Sequence, residues 1–415
     1  MTFFRDMPRR WTRLGAVAIL CSALVSGGGT VSERPSVDPT AIDRTPAELS
    51  VALGRLAEPI VREILDALLV PGAVVYVRTP DAYWQRAFGS RILGQNDPVL
   101  VEDFFRVGST TKTMVGTVAL QLVGEGRLAL DESVSRYRAG VPNGDDITIA
   151  DLLNMRSGLF SYNENPSFAA IMDDDPGRVW KPEALLRIGF ASEPYSAPGT
   201  EFRYSNTNTI LLAAVLEQVT GQDIGSLLTH RIFRPLDLTK TSYPEPGEAT
   251  LPSPSPRGYL YGTNTSALSS VVLPSAQVAA ARTGDLAPTD VTNLDPSWIG
   301  AAGGVISTAQ DLATYVRALV GSDELIGPEL QRERLTSAAP LDRRDPAGIR
   351  YGLGLESFGP MLGHDGAIPG FQTFMGYDPD TGITIVVLCT LRDGPAGGRP
   401  ANEIAYGLVR ALIAE

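Results

Sequence analysis

Apolar positions along the chain switch between two spacings, and the switches outline the fold. Leu53, Ile60, Ile64 and Leu68 recur at helical spacing and predict a helix over Leu53–Leu69. Two short runs follow, Ala73–Arg78 and Ala82–Phe88, joined by a Thr-Pro-Asp turn, which read as a β-hairpin. From Thr111 to Val123 the chain is almost continuously apolar and is stopped by Gly124-Glu125-Gly126; a helix apolar on all sides belongs in the centre of a large fold. Residues 130–300 read as helices and loops, including helices at 206–219 and 223–232, a Pro/Ser-rich stretch at Leu251–Pro256 and a weakly hydrophobic insertion at 262–295. Strands return at Tyr351–Ser357, Phe371–Tyr377 and Ile383–Leu391, the last apolar enough to be central, and an amphipathic helix closes the chain at 401–414. Strands near both ends with helices between them predict one sheet built from the two ends and a helical lobe inserted between.

The N-terminus reads as an export signal. Arg5, Arg9, Arg10 and Arg13 precede an apolar run, Leu14–Val25, too short to span a membrane comfortably, and Val25 and Gly27 suit the −3 and −1 positions of a cleavage site. Thr12 and Arg13 after the arginine pair weaken a twin-arginine route, and bulky Leu20 before Cys21 speaks against a lipoprotein. The expected organisation is a signal at 1–27, a flexible Pro/Ser/Thr-rich linker at 28–48, and one domain over 49–415. Within that domain the sheet lobe takes 49–108 and 300–415, and the helical lobe takes 109–299. The expected location is secreted or extracytoplasmic, with membrane contact only through an uncleaved signal.

Composition narrows the chemistry. The 415 residues are 43% hydrophobic and 20% charged, which is ordinary for a globular protein, and the net charge of −12 becomes −15 without residues 1–27. With no basic cluster after Arg13, nucleic acid is not an expected partner. Two histidines and two cysteines are too few for a His- or Cys-based metal site, and there is no phosphate-binding or dinucleotide glycine pattern, so no metal and no cofactor is expected. Cys389 lies in an apolar run and reads as a buried small hydrophobe; His230, among Leu227, Leu228, Ile232 and Phe233, reads as a structural residue packed at a helix end.

Three polar elements carry candidate chemistry. In Val107-Gly-Ser-Thr-Thr-Lys112, Ser109 and Lys112 stand three apart at a helix start and share a face. A lysine entering an apolar core with a lowered pKa can take the serine proton, and the helix N-terminus favours the alkoxide. In Phe202-Arg-Tyr-Ser-Asn206, Tyr204 can shuttle a proton, and the Asn206 side chain can both donate to and accept from a substrate amide. In Gly363-His-Asp-Gly-Ala-Ile-Pro-Gly370, at the start of a strand, glycines permit close approach of a substrate backbone to a sheet edge.

In this order the three elements resemble those of the penicillin-recognising serine hydrolases: serine D-alanyl-D-alanine carboxypeptidases, class C β-lactamases and their esterase relatives, with Tyr-x-Asn and His-x-Gly as second and third motifs. The resemblance extends over residues 70–392 through Gly126-Arg-Leu-Ala-Leu-Asp, Leu152-Leu-Asn-Met-Arg-Ser-Gly-Leu, Ala302-Gly-Gly-Val-Ile-Ser-Thr and Tyr351-Gly-Leu-Gly-Leu. It implies an α+β fold with a five-stranded antiparallel sheet flanked by helices beside an all-helical lobe, and an active site between them. It further implies Ser109 as the acylated nucleophile, Lys112 and Tyr204 as the proton-transfer pair in undecided order, and Asn206 on the substrate amide. His364 and Gly366 would lie on the opposite wall, and the N–H groups of Ser109 and Ala367 would form the oxyanion hole. Trp298 reads equally as a cleft wall or as packing.

The chain departs from the carboxypeptidase pattern where a substrate carboxylate would bind. Asp365 and Ala367 stand where threonines are usual, and Glu356 where close relatives place an arginine, so two carboxylates would repel an anionic substrate end. Arg392, or Arg399 with Asn402, could substitute. The leading expectation is an exported acyl-serine hydrolase of the D-alanyl-D-alanine carboxypeptidase type acting on peptidoglycan-derived acyl-D-alanyl peptides. The alternatives are a carboxylesterase or amidase, a β-lactamase, and a non-enzymatic penicillin-binding sensor.

Overall fold

The computed structural model describes residues 45–413 apart from 343, 346 and 347. The signal at 1–27 and most of the linker fall outside this range. The linker ends earlier than the sequence predicts, because α1 (Pro46–Leu68) begins three residues before position 49. Thr45 accepts the Glu48 N–H, Glu48 returns the bond to the Thr45 N–H, and Pro46 occupies the first turn, a reciprocal cap contributing on the order of 1 kcal/mol.

The hairpin β1 (Gly72–Arg78) and β2 (Tyr83–Gly89) follows, then α2 (Thr111–Gly124), α3 (Asn206–Thr220) and α4 (Ala309–Gly321). The chain returns through β3 (Glu356–Phe358), β4 (Met361–Ile368), β5 (Phe371–Tyr377) and β6 (Thr384–Cys389) to α5 (Pro400–Ile413). One antiparallel sheet runs β2-β1-β6-β5-β4-β3 and continues through the two-residue strands Arg350–Tyr351 and Ala339–Pro340. It therefore has eight strands where five were expected: five long ones and three short extensions. The expected strand at Tyr351–Ser357 is broken in two, with Gly354 at φ 68° in the interruption.

Strand alternation divides the core. Ala73, Val75, Val77, Ile385, Val387 and Cys389 face α1 and α5, while Val74, Tyr76, Val386, Leu388 and Met375 face the layer containing α2 and α4. The α2 helix is buried on nearly every side and joins this layer to the helical lobe. Cys389 is fully buried, whereas His230 is exposed, a correction to the packed position expected for it. The helix Ile224–Leu228 passes into a wider π turn, Thr229–Phe233, which buries Ile232 and Phe233 and leaves His230 outside. Among the described residues, no helix is long and apolar enough to cross a membrane.

Candidate active site

Gly108 sets the first motif in place. Its φ of 57° is left-handed, a conformation that glycine adopts without strain, and it turns the chain from the short strand Phe105–Arg106 into the 3-10 turn Gly108–Thr110 that leads into α2. Ser109 sits half-buried in that turn. Lys112, one turn further on, is 2% exposed, and its Nζ lies 3.0 Å from Ser109 Oγ and 2.7 Å from the carbonyl oxygen of Ala302. Burial lowers the Lys112 ammonium pKa to about 7, with Glu356 and Asp365 pulling weakly upward. The lysine is thus poised between its charged and neutral forms near neutrality.

The second motif meets the first across the cleft. Tyr204, in the extended segment before α3, lies with its ring centroid 4.9 Å from Lys112 Nζ, and its buried hydroxyl is directed at the Ser109 hydroxyl. Burial holds the phenol pKa well above 10, Glu356 adds to the effect, and the nearby Ser109 hydroxyl opposes it, so Tyr204 stays protonated. Asn206 is fixed by its N–H donating to Ser161 Oγ (2.9 Å) and its Nδ2 donating to Asn163 Oδ1 (2.8 Å). Its own Oδ1 is buried and unpartnered, an acceptor left over.

The third motif lies on β4, directly against Ser109. A Cβ at Gly366 would fall 2.2 Å from the Val107 carbonyl oxygen and 3.1 Å from the Ser109 nitrogen, so only glycine allows this approach. The hairpin registers pair Ile368 with Phe371 and Ala367 with Gln372. Backbone bonds alternate sides along an antiparallel strand, and the Asp365 N–H points away from β5, to Glu356 Oε2 at 3.1 Å. Two residues on, the Ala367 N–H shares that outward direction, on the side of β4 where Ser109 lies.

His364 is 0% exposed, on the face of β4 that carries Gly366, with its ring centroid 6.3 Å from that of Tyr204. Its Nδ1 donates to the Asp365 carbonyl oxygen at 2.5 Å and its Nε2 accepts from the Tyr351 hydroxyl at 3.2 Å. Burial drops its pKa to about 4, leaving a neutral ring. Trp298 is 8% exposed; it lines a narrow cavity with Arg106, Ile368 and Pro369, and its carbonyl accepts from Tyr162 Oη at 2.9 Å.

The expected acidic repulsion is also corrected. Asp365 is held by Arg399 (3.0 Å) and Asn402 (2.8 Å), and Arg392 is paired with Asp393 (2.5 Å). Glu356 is 8% exposed, and burial beside Asp365 pushes its carboxyl pKa well above the usual range, which favours the neutral form. Glu356, His364 and Asp365 offer three ligand atoms within 4.8 Å of one another, but Asp365 is already paired with Arg399 and His364 Nδ1 with the Asp365 carbonyl oxygen, which does not suit a cation. Residues that sequence reasoning left out include Asn163, Ser161 and the Ala302 carbonyl. Only their folded proximity assigns them a role, and no local signal marks them.

A serine hydroxyl beside a buried lysine and a phenol, against the backbone of a strand, is an arrangement suited to a serine hydrolase. The chain matches the Beta-lactamase family model over residues 58–408 and belongs to that family. It is 29% identical over 347 residues to Esterase EstB of Burkholderia gladioli, covering 79% of this chain and 81% of the esterase. It is 26% identical to Penicillin-binding protein 4 of Amycolatopsis lactamdurans, covering 85% and 89% of the two chains. A D-stereospecific amidohydrolase from Streptomyces sp. superposes with a TM-score of 0.69 at 30% identity, over 85% of this chain and 97% of that one.

Proposed function

We propose that the protein hydrolyses carboxylic esters or amides whose departing group carries no carboxylate. The observation that carries this is how the arginines on that side of the site are engaged: Arg399 and Asn402 hold Asp365, Arg392 holds Asp393, and Glu356, where a cation would serve a carboxylate, is a buried carboxyl. A departing carboxylate would have to displace Asp365 from Arg399, whereas a neutral group meets no such competitor. The esterase and amidohydrolase relatives support the same reading.

Ser109 Oγ attacks the carbonyl carbon while neutral Lys112 takes its proton. The N–H groups of Ser109 and Ala367 receive the oxyanion. As the bond to the departing group breaks, that group takes a proton passed from Lys112 through the Tyr204 hydroxyl, leaving acyl-Ser109. Water then adds by the same route, releasing the acid and the free serine. Asn206 Oδ1 accepts an amide N–H from acyl groups that have one. The leader-like segment 1–27 supports action outside the cytoplasm.

The test is turnover of an acylated D-alanyl thioester with a free carboxylate against its methyl ester, with Ser109→Ala as blank. The methyl ester is expected to react faster. Preference for the free acid would overturn the proposal in favour of the D-alanyl-D-alanine carboxypeptidase reading, which the penicillin-binding relative supports.

A further inference from the structure

The weakly hydrophobic insertion is tied to both sides of the cleft. At the sheet, the Tyr259 N–H donates to the Thr390 carbonyl (2.9 Å) and the Leu273 N–H to the Pro395 carbonyl (3.0 Å). Gly258 lies flat against the tip of the β4–β5 hairpin: a Cβ there would meet the Phe371 ring at 2.6 Å and the Gly370 carbonyl oxygen at 2.8 Å. Val291, bonded to the Gly258 carbonyl, and Leu294 share the narrow cavity with Trp298, Ile368 and Pro369.

At the helical lobe the Asp295 N–H donates to the Pro176 carbonyl (2.9 Å), and one carboxylate makes the side-chain connection. Asp173, ending the helix Pro166–Asp174, accepts four bonds: from the Asn264 N–H (2.8 Å) and Nδ2 (2.9 Å), and from the Thr265 N–H (2.9 Å) and Oγ1 (2.6 Å). The segment therefore spans from sheet to helical lobe and closes the cleft at the 368–370 end.

The chemistry says which part of a substrate meets that end. The groups that protonate the departing atom lie on its side, and Tyr204 packs against Tyr351 and His364, with ring centroids 6.0 and 6.3 Å away. The departing group thus lies toward residue 364, and the acyl group runs along β4 toward 368–370.

Resting on the acyl-Ser109 reading above, we infer that residues 258–295 form an acyl-end wall, latched by Asp173, that restricts the enzyme to short acyl groups. Val291 and Leu294 are its specificity-determining side chains.

The experiment measures kcat/KM for p-nitrophenyl acetate, butyrate, hexanoate and octanoate with the full chain, Asp173→Ala and Val291→Ala. Wild type is expected to lose at least about tenfold between butyrate and octanoate, as pockets that sense single methylenes do. Both variants are expected to regain most of that loss on octanoate, read as the ratio of octanoate to acetate kcat/KM. An identical chain-length profile in wild type and variants, or a flat wild-type profile, overturns the wall. If Asp173→Ala fails to fold, Val291→Ala decides alone. Absence of turnover of every ester by wild type instead overturns the ester-hydrolase reading, so the two failures are distinguishable.

Discussion

Replacing Lys112 with methionine should abolish turnover and yet stabilise the protein at neutral pH. The lysine is 2% exposed, and its pKa falls from 10.5 to about 7, a displacement equivalent to roughly 5 kcal/mol disfavouring the charged form. Methionine fills a similar volume without a charge, but it gives up the bond to the Ala302 carbonyl, worth about 1–3 kcal/mol if that oxygen is left unsatisfied. The net gain is about 2–4 kcal/mol at pH 7, read as a Tm higher by a few degrees. Its pH dependence is the sharper test. Because the folded-state pKa lies below the unfolded one, the unfolded chain binds the extra proton between about 7 and 10.5, and wild-type stability from this group rises across that window. The advantage of Lys112→Met should therefore be largest below about pH 7 and shrink toward pH 10. Thermal unfolding of both proteins across that range measures it. A variant that is less stable at neutral pH, or a difference that does not change with pH, would refute the claim that the ammonium is buried at a cost.

Three further outcomes follow from the same geometry. The acid limb of kcat/KM should follow Lys112, with activity rising through about pH 7 and levelling above it, as pH-rate profiles on a neutral ester will show. Gly366→Ala should lower kcat/KM by about 100-fold or more, because its Cβ would stand 2.2 Å from the Val107 carbonyl oxygen and push β4 off Ser109; near-normal acylation by a fluorescent ester would contradict that. Asn206→Ala should reduce turnover of N-acylaminoacyl esters by about 10-fold while sparing simple acetyl esters, since only the former present an amide to the free Oδ1. Equal losses on both would remove Asn206 from substrate recognition.

Features that were legible in the sequence are those set by local spacing. Ser109 and Lys112 stand three apart on a helix start, and no distant residue is needed to bring Nζ to Oγ; α2 and the central strand are likewise written as unbroken apolar runs bounded by turn residues. The three short strands are two or three residues long, too brief to carry a period, so the sheet was undercounted. Glu356 was read by formal charge, which describes a carboxyl in water, whereas burial favours its neutral form. Asp365 was read without its partner, because Arg399 stands 34 residues away along the chain. The burial of His364 is of the same kind: its motif marks the strand, while Tyr351, 13 residues earlier, and Tyr204 close over its ring only in the fold.

Burial and the neighbouring Asp365 both favour the neutral form of Glu356. An ionised carboxylate there would favour the Lys112 ammonium, which cannot accept the serine proton. The formal charges instead collect at the rim, on Asp365 and Arg399, whose guanidinium side is 54% exposed. Glu356→Gln preserves the neutral shape and the acceptor for the Asp365 N–H, so it should keep kcat/KM within a few-fold at neutral pH. Glu356→Ala removes that acceptor and leaves the N–H beside the oxyanion strand unpaired, so it should lose more, about tenfold. Steady-state rates of the two variants on one neutral ester separate these cases. If Gln is as damaging as Ala, the carboxylate acts as a charge, and the neutral cleft on which the proposed substrate class rests is wrong.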